Sequence, residues 1–259
     1  MIIKRIQNIK VNFFMKYNLL FFILIIISKY SFSQILPSHH AVHHKPGIIE
    51  SNLILHLDAS NTNSFDSNDL TSWNDLSSSE NDLSLVVGGV SYSSDNGGII
   101  NFNGDGFRKS SFTNFSGNTF TVSMWIRTSQ NNGRLLSVAR APCCYGNQMV
   151  MWLTSSKVGV YGASNSISTV NDDTWRFVTV VRSSGTYKYY INQNLDVTRT
   201  GQDSKTFHDN NLVIGWEYRN NNASSAFTGD IGAVYFYNSD LTNDQVINNY
   251  TVTKSRYGH

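Results

Sequence analysis

The chain has 259 residues, of which 40% are apolar, 13% aromatic and only 15% charged, with 20 Lys and Arg against 18 Asp and Glu. That apolar share supports a real core and excludes disorder over most of the chain. Lys4, Arg5, Lys10, Lys16 and Lys29 all precede Ser33 in a stretch without an acid, which leaves 15 cations against 18 anions and no lysine-rich block, so nucleic-acid binding is disfavoured.

Leu19 to Ile27 is a run of nine apolar residues, preceded by Lys16 and followed by Ser31-Phe32-Ser33, with small residues three and one positions before a cut ahead of Gln34. This is secretory signal grammar, and the run is shorter than the roughly 20 residues a spanning helix needs. Residues 1–33 are therefore expected to be a signal peptide, with Met15 read as the true start. The mature protein is expected in the periplasm, at the cell surface or outside the cell, with no membrane span once the leader is cleaved. Residues 34–47 hold two of the three prolines and four of the seven histidines and read as a linker. Its His39, His40, His43 and His44 offer imidazoles to a soft divalent metal, or else form a solvated tail.

From Ile48 onward, short alternating or apolar runs recur between Gly, Asn, Asp and Ser clusters, the pattern of an all-β sandwich or barrel. Strands are expected at Leu53 to Leu57, Leu83 to Val87, Ile99 to Phe102, Phe120 to Arg127, Leu135 to Ala139 and Gln148 to Leu153. Further strands are expected at Val158 to Tyr161, Trp175 to Arg182, Tyr187 to Ile191, Leu212 to Trp216 and Ile231 to Tyr237. Phe120, Val122, Met124 and Ile126 alternate with Thr121, Ser123, Trp125 and Arg127, which predicts one core face and one half-wet face. The one expected helix starts at Thr242-Asn243-Asp244-Gln245, a capping box ahead of Val246, Ile247 and Tyr250. No repeat or second linker divides 48–259, which is read as one domain.

These segments in this order resemble the LamG-like jelly-roll domain of the concanavalin A-like lectin and glucanase superfamily, as found in exported bacterial proteins. The resemblance rests on Leu53-Ile54-Leu55-His56-Leu57-Asp58-Ala59-Ser60, on the turn Trp73-Asn74-Asp75-Leu76-Ser77 with Asn81, and on Ile100-Asn101-Phe102-Asn103-Gly104. It continues through Phe120 to Ile126, Trp175-Arg176-Phe177-Val178 and Tyr187 to Asn192, and is most specific in Phe227-Thr228-Gly229-Asp230-Ile231-Gly232-Ala233-Val234-Tyr235-Phe236-Tyr237-Asn238. It implies a two-sheet antiparallel β-sandwich with one short C-terminal helix. It also implies one structural calcium held by carboxylates such as Asp58, Asp75 and Asp230, the alternative being aspartates that cap turns. The chain departs from the family in Ser77-Ser78-Ser79-Glu80-Asn81, where glycine is usual, and in Gly232 and Ala233, where an acid is common.

The fold hosts hydrolases and binding modules alike. A glycosidase needs two facing carboxylates. Here Glu50 and Glu217 have no acid two residues away, Glu80 has only Asp82, ahead of the strand expected at Leu83 to Val87, and adjacent Asp172 and Asp173 would point to opposite faces of a strand. His56 and His208 sit in no catalytic motif, and no G-x-S-x-G, P-loop, H-E-x-x-H or C-x-x-C is present. A non-catalytic glycan-binding module is the leading expectation. A protein-interaction or adhesion module for a cell-surface protein, and a polysaccharide hydrolase or lyase, are the alternatives. Trp216, Tyr218, Arg219 and Asn221, where a strand runs into a polar loop, are the first candidates for ligand contact, with Trp152 and Tyr145 beside them; packing is the competing role for each aromatic. Cys143 and Cys144 are the only cysteines. In an exported protein they are expected as a vicinal disulfide, with an intermolecular bridge or reduced thiols as alternatives.

Overall fold

The computed structural model describes residues 47–104, 106–139, 148–202, 204–207, 210–216 and 226–259. Contacts gather Pro46–His259 into one compact unit. In chain order the strands are β1 (Leu53–Asp58), β2 (Ser72–Trp73), β3 (Leu83–Val87), β4 (Ser91–Ser93) and β5 (Ile99–Asn103). Then follow β6 (Gly106–Lys109), β7 (Thr119–Arg127), β8 (Gly133–Ala139), β9 (Met149–Thr154) and β10 (Lys157–Val160). The last five are β11 (Arg176–Ser183), β12 (Thr186–Ile191), β13 (Asn194–Arg199), β14 (Asn211–Ile214) and β15 (Thr228–Tyr237), before helix α1 (Asn243–Thr253) and a final 3-10 turn, Lys254–Tyr257.

Two antiparallel sheets form the sandwich, as expected. One has eight strands in the order β13-β12-β11-β7-β15-β5-β4, with β1 also paired to β15. Along one edge, β5 pairs the first part of β15 (Ile231 against Ile100) and β1 the second (Ala233 against Asp58), and the register shifts at Gly232 between them. The other sheet has seven strands in the order β10-β9-β8-β14-β6-β3-β2. Phe120, Val122, Met124 and Ile126 of β7, Tyr187 and Tyr189 of β12, and Leu136, Val138, Met149 and Met151 from the facing sheet meet in one core.

The eleven expected strands are present, and four more, β2, β4, β6 and β13, join them. The second face of β7 corrects the half-wet expectation: Thr121, Ser123 and Trp125 are buried too. The cause is α1 and the turn after it, which lie across the eight-stranded sheet and build a second core of Trp125, Trp175, Phe177, Tyr235, Val246, Tyr250 and Tyr257. Tyr257 stacks on Trp125 at 4.1 Å. Several polar groups on this face are satisfied internally: Trp125 Nε1 donates to Thr253 Oγ1 at 2.9 Å, and Thr179 Oγ1 donates to Ser123 Oγ at 2.8 Å. The capping box is present, with Gln245 N donating to the Thr242 hydroxyl and the Gln245 side chain accepting from Thr242 N.

Candidate functional site

α1 covers the outer face of the eight-stranded sheet; on the outer face of the seven-stranded sheet Val213, Ser137 and Val150 are buried, while Arg108, Arg134 and Trp152 remain partly exposed. Register places Arg108, Val213, Ser137 and Val150 in one row across that outer face, and Arg134, Trp152 and Gly159 in the next. None of the seven strands carries an Asp or Glu.

Two tryptophans lie flat on this face, and a glycine makes room for each. A Cβ at Gly159 would fall 2.4 Å from Trp152 Nε1, and a Cβ at Gly106 would fall 2.2 Å from Trp216 Cδ1. Glycine inside a strand thus marks close approach by another group. The Trp152 indole is half-buried and fixed on three sides. Its Nε1 donates to Asn165 Oδ1 at 3.4 Å, the Arg134 guanidinium lies 5.0 Å from its ring, and Tyr161 meets it edge-on at 6.2 Å. Tyr161 is 37% exposed, and the Asn165 carbonyl accepts from Arg199 at 2.9 Å, which ties the 161–170 loop to β13. An aromatic plate rimmed by amide, guanidinium and phenol groups is the chemistry that receives an apolar sugar face with its hydroxyl edge.

Trp216, expected at a rim, is only 3% exposed, because Gly106 lets it sink onto β6. Trp125, considered as a surface aromatic, is fully covered by Tyr250 and Tyr257. Tyr145, Cys143, Cys144, Tyr218, Arg219 and Asn221, like the histidines of the linker, lie outside the described residues. The segment holding Tyr218, Arg219 and Asn221 is anchored at both ends beside Arg134: Gly215 N donates to Leu135 O, and Ala226 bridges Arg134. The segment holding Tyr145 joins β8 to β9 of the same sheet.

The three carboxylates considered for calcium do not assemble. Asp58 pairs with Arg256 and accepts from Ser60 N; Asp230 pairs with Arg127 at 2.7 Å and accepts from Asn101. Asp75 accepts from His56 N, Ser77 N, Ser77 Oγ and Asn81 N, and so holds its turn closed. The left-handed step of that turn falls on Glu80, at φ 52°, so Ser78 stands at the family's glycine position without strain. Among the described residues no three of His, Cys, Asp and Glu come together as a metal site, and no helix is long and apolar enough to cross a membrane.

A family model described as the Concanavalin A-like lectin/glucanases superfamily matches residues 101–247. Among solved structures, domain 4 of AbnA, a GH43 extracellular arabinanase from Geobacillus stearothermophilus in complex with arabinotriose, aligns with a TM-score of 0.56 at 21% identity, covering 78% of this chain and 100% of that one. The binding domain of botulinum neurotoxin serotype D aligns with a TM-score of 0.55 at 17% identity, covering 78% of this chain and 52% of that one. A structure of botulinum neurotoxin type C, whose cell entry depends on two ganglioside molecules, aligns with a TM-score of 0.55 at 14% identity over 78% of this chain and 51% of that one. These likenesses show a shared fold. No curated protein sequence matches the chain.

Proposed function

We propose that this chain, which belongs to the concanavalin A-like lectin/glucanases superfamily, is an exported, non-catalytic module that binds glycan on the outer face of its seven-stranded sheet. The observation that carries the reading is Trp152, seated on Gly159 and held half-open by Arg134 and Asn165. The arabinotriose and ganglioside ligands of the similar folds support the ligand class. The absence of Asp and Glu from all seven strands favours binding over glycoside hydrolysis, which requires two facing carboxylates. The segment with Tyr145 joins β8 to β9 of this sheet and the segment with Tyr218, Arg219 and Asn221 leaves its strand β14, so ligand contact is assigned to them together with Trp152, while Trp216 supports the surface from beneath. A glycan array probed with the mature chain, with and without calcium, tests the reading: retention on a defined set of glycans is expected, and retention on none contradicts it.

A further inference from the structure

A second concavity lies on the other side of the domain, in a groove of about 400 Å³ lined by Ile48, Glu50, Leu53, His56, Leu76, Ser77 and Ser78. Its size falls in the range of small-ligand sites, about 300–1,000 Å³. Both walls are rigid. On one side, Asp75 ties the turn by four hydrogen bonds, Leu76 N donates to His56 O at 2.8 Å, and Asn81 links Ile54 O to Thr113. On the other, the buried Asn249 accepts from Ile49 N at 2.9 Å and Asn248 Nδ2 donates to Gly47 O at 2.9 Å, which clamps the Gly47–Glu50 stretch to α1.

Inside these walls the Ser77 hydroxyl is bonded to Asp75, but three other functional groups have no hydrogen-bond partner among the described residues. The His56 ring rests on Tyr235 at 5.0 Å, yet neither ring nitrogen is hydrogen-bonded, and the Glu50 carboxylate and the Ser78 hydroxyl are equally free. Glu50 and Ser78 stand exposed at the rim, but the His56 imidazole is half-buried on a rigid frame without a partner, which calls for an explanation, and a ligand supplies one. Burial holds the imidazole below the ordinary histidine range against the pull of Asp58, Asp75 and Glu50, so at neutral pH it offers one donor and one acceptor. That pairing matches hydroxyl groups. Glu50 at the mouth opposes an anion, and Ile48, Leu53 and Leu76 provide an apolar wall for the C–H face of a ring.

We infer that this groove is a second binding site, for a single neutral sugar residue, separate from the Trp152 surface. The test is NMR of the imidazole resonances of the mature chain, linker included, titrated at neutral pH with glucose, galactose and arabinose, and in parallel with glucuronate and glucosamine. At least one neutral sugar is expected to shift the His56 signals in a saturable way. Leu76→Trp, which fills the groove, is expected to weaken that response at least about tenfold, while Trp152→Ala leaves it unchanged. His56→Gln, which keeps a donor and an acceptor, provides a second variant to be read by amide shifts of Ser77 and Ser78 should Leu76→Trp fail to fold. No saturable shift with any neutral sugar, tighter binding of glucuronate or glucosamine, or loss of the response in Trp152→Ala overturns the inference. Because the Trp152 surface is read through other residues, either site can fail without the other.

Discussion

Replacing Gly159 with alanine adds a single methyl group to the face assigned to ligand. The backbone there tolerates it, since Gly159 is not among the positive-φ glycines, so the whole effect comes from what the methyl meets. It would lie 2.0 Å from Asn165 Oδ1 and 2.4 Å from Trp152 Nε1, far inside contact distance, so the amide and the indole must both move. The move loses the Trp152–Asn165 hydrogen bond, which at 3.4 Å belongs at the low end of about 0.5–1.5 kcal/mol. It also loses the Arg134 stack on a half-exposed ring, about 0.5–1 kcal/mol. Alanine returns about 0.4–1 kcal/mol by restricting the unfolded chain. The net cost is about 0–1 kcal/mol, a fall in Tm of no more than about 4 °C for a domain of this size. Binding should suffer more than folding, because the plate itself is tilted: retention on the array glycans is expected to drop at least about tenfold. Near-UV circular dichroism, thermal melts and affinity electrophoresis measure the three effects. A Gly159→Ala protein with an unchanged tryptophan signal and full retention would falsify the argument that this glycine exists to seat Trp152.

The remaining expectations concern pH and the two cores. Burial lowers the His56 pKa in the folded state, so the unfolded chain binds more protons there and stability falls as pH drops through about 6.5. Chemical denaturation across that window should show a shallower slope for His56→Gln than for the parent, and equal slopes would refute the assignment. Burial raises the pKa values of Tyr235, Tyr257, Tyr237 and Tyr189, so these phenols keep their protons until the chain opens and stability should fall as pH rises above about 10. Phenolate absorbance that rises together with loss of the near-UV signal checks this, whereas full titration in a still-folded protein contradicts it. Asn249→Leu strips Ile49 N of its acceptor and Tyr237 Oη of its donor, and should cost about 1–3 kcal/mol by urea denaturation; an unchanged midpoint would show that the Gly47–Glu50 stretch is not clamped through Asn249.

The strands that could be read from sequence are those whose alternation is apolar and long, such as Phe120 to Arg127, where Phe120, Val122, Met124 and Ile126 announce the core. The four that escaped notice lack that signal: Ser72–Trp73 and Ser91–Ser93 are too short, Gly106–Lys109 has one large apolar residue, and Asn194–Arg199 is a polar edge strand. The hydroxyls of Thr121 and Ser123 looked like a wet face because sequence gives no sign that Thr179 and Ser239 O satisfy them beneath α1. For the candidate site, Trp152 was legible and its setting was not. The missed signal was glycine within strands, at Lys157-Val158-Gly159-Val160 and Gly106-Phe107-Arg108-Lys109, which marks where an indole comes down on the sheet. That signal locates both indoles and does not distinguish Trp152, half-open, from Trp216, buried. The His56 groove was legible only as an available histidine, because its second wall comes from Gly47–Glu50, which Asn248 and Asn249 hold from 200 residues away in sequence.

The central claim is that the Trp152 plate on the seven-stranded sheet receives glycan. It is tested most directly by isothermal titration of the best-retained array glycan into the mature chain and into Trp152→Ala, a change at a half-exposed position that leaves both cores intact. The account predicts measurable binding to the parent and at least about a tenfold loss in the variant, with both proteins folded. Equal affinity for the two proteins would contradict it.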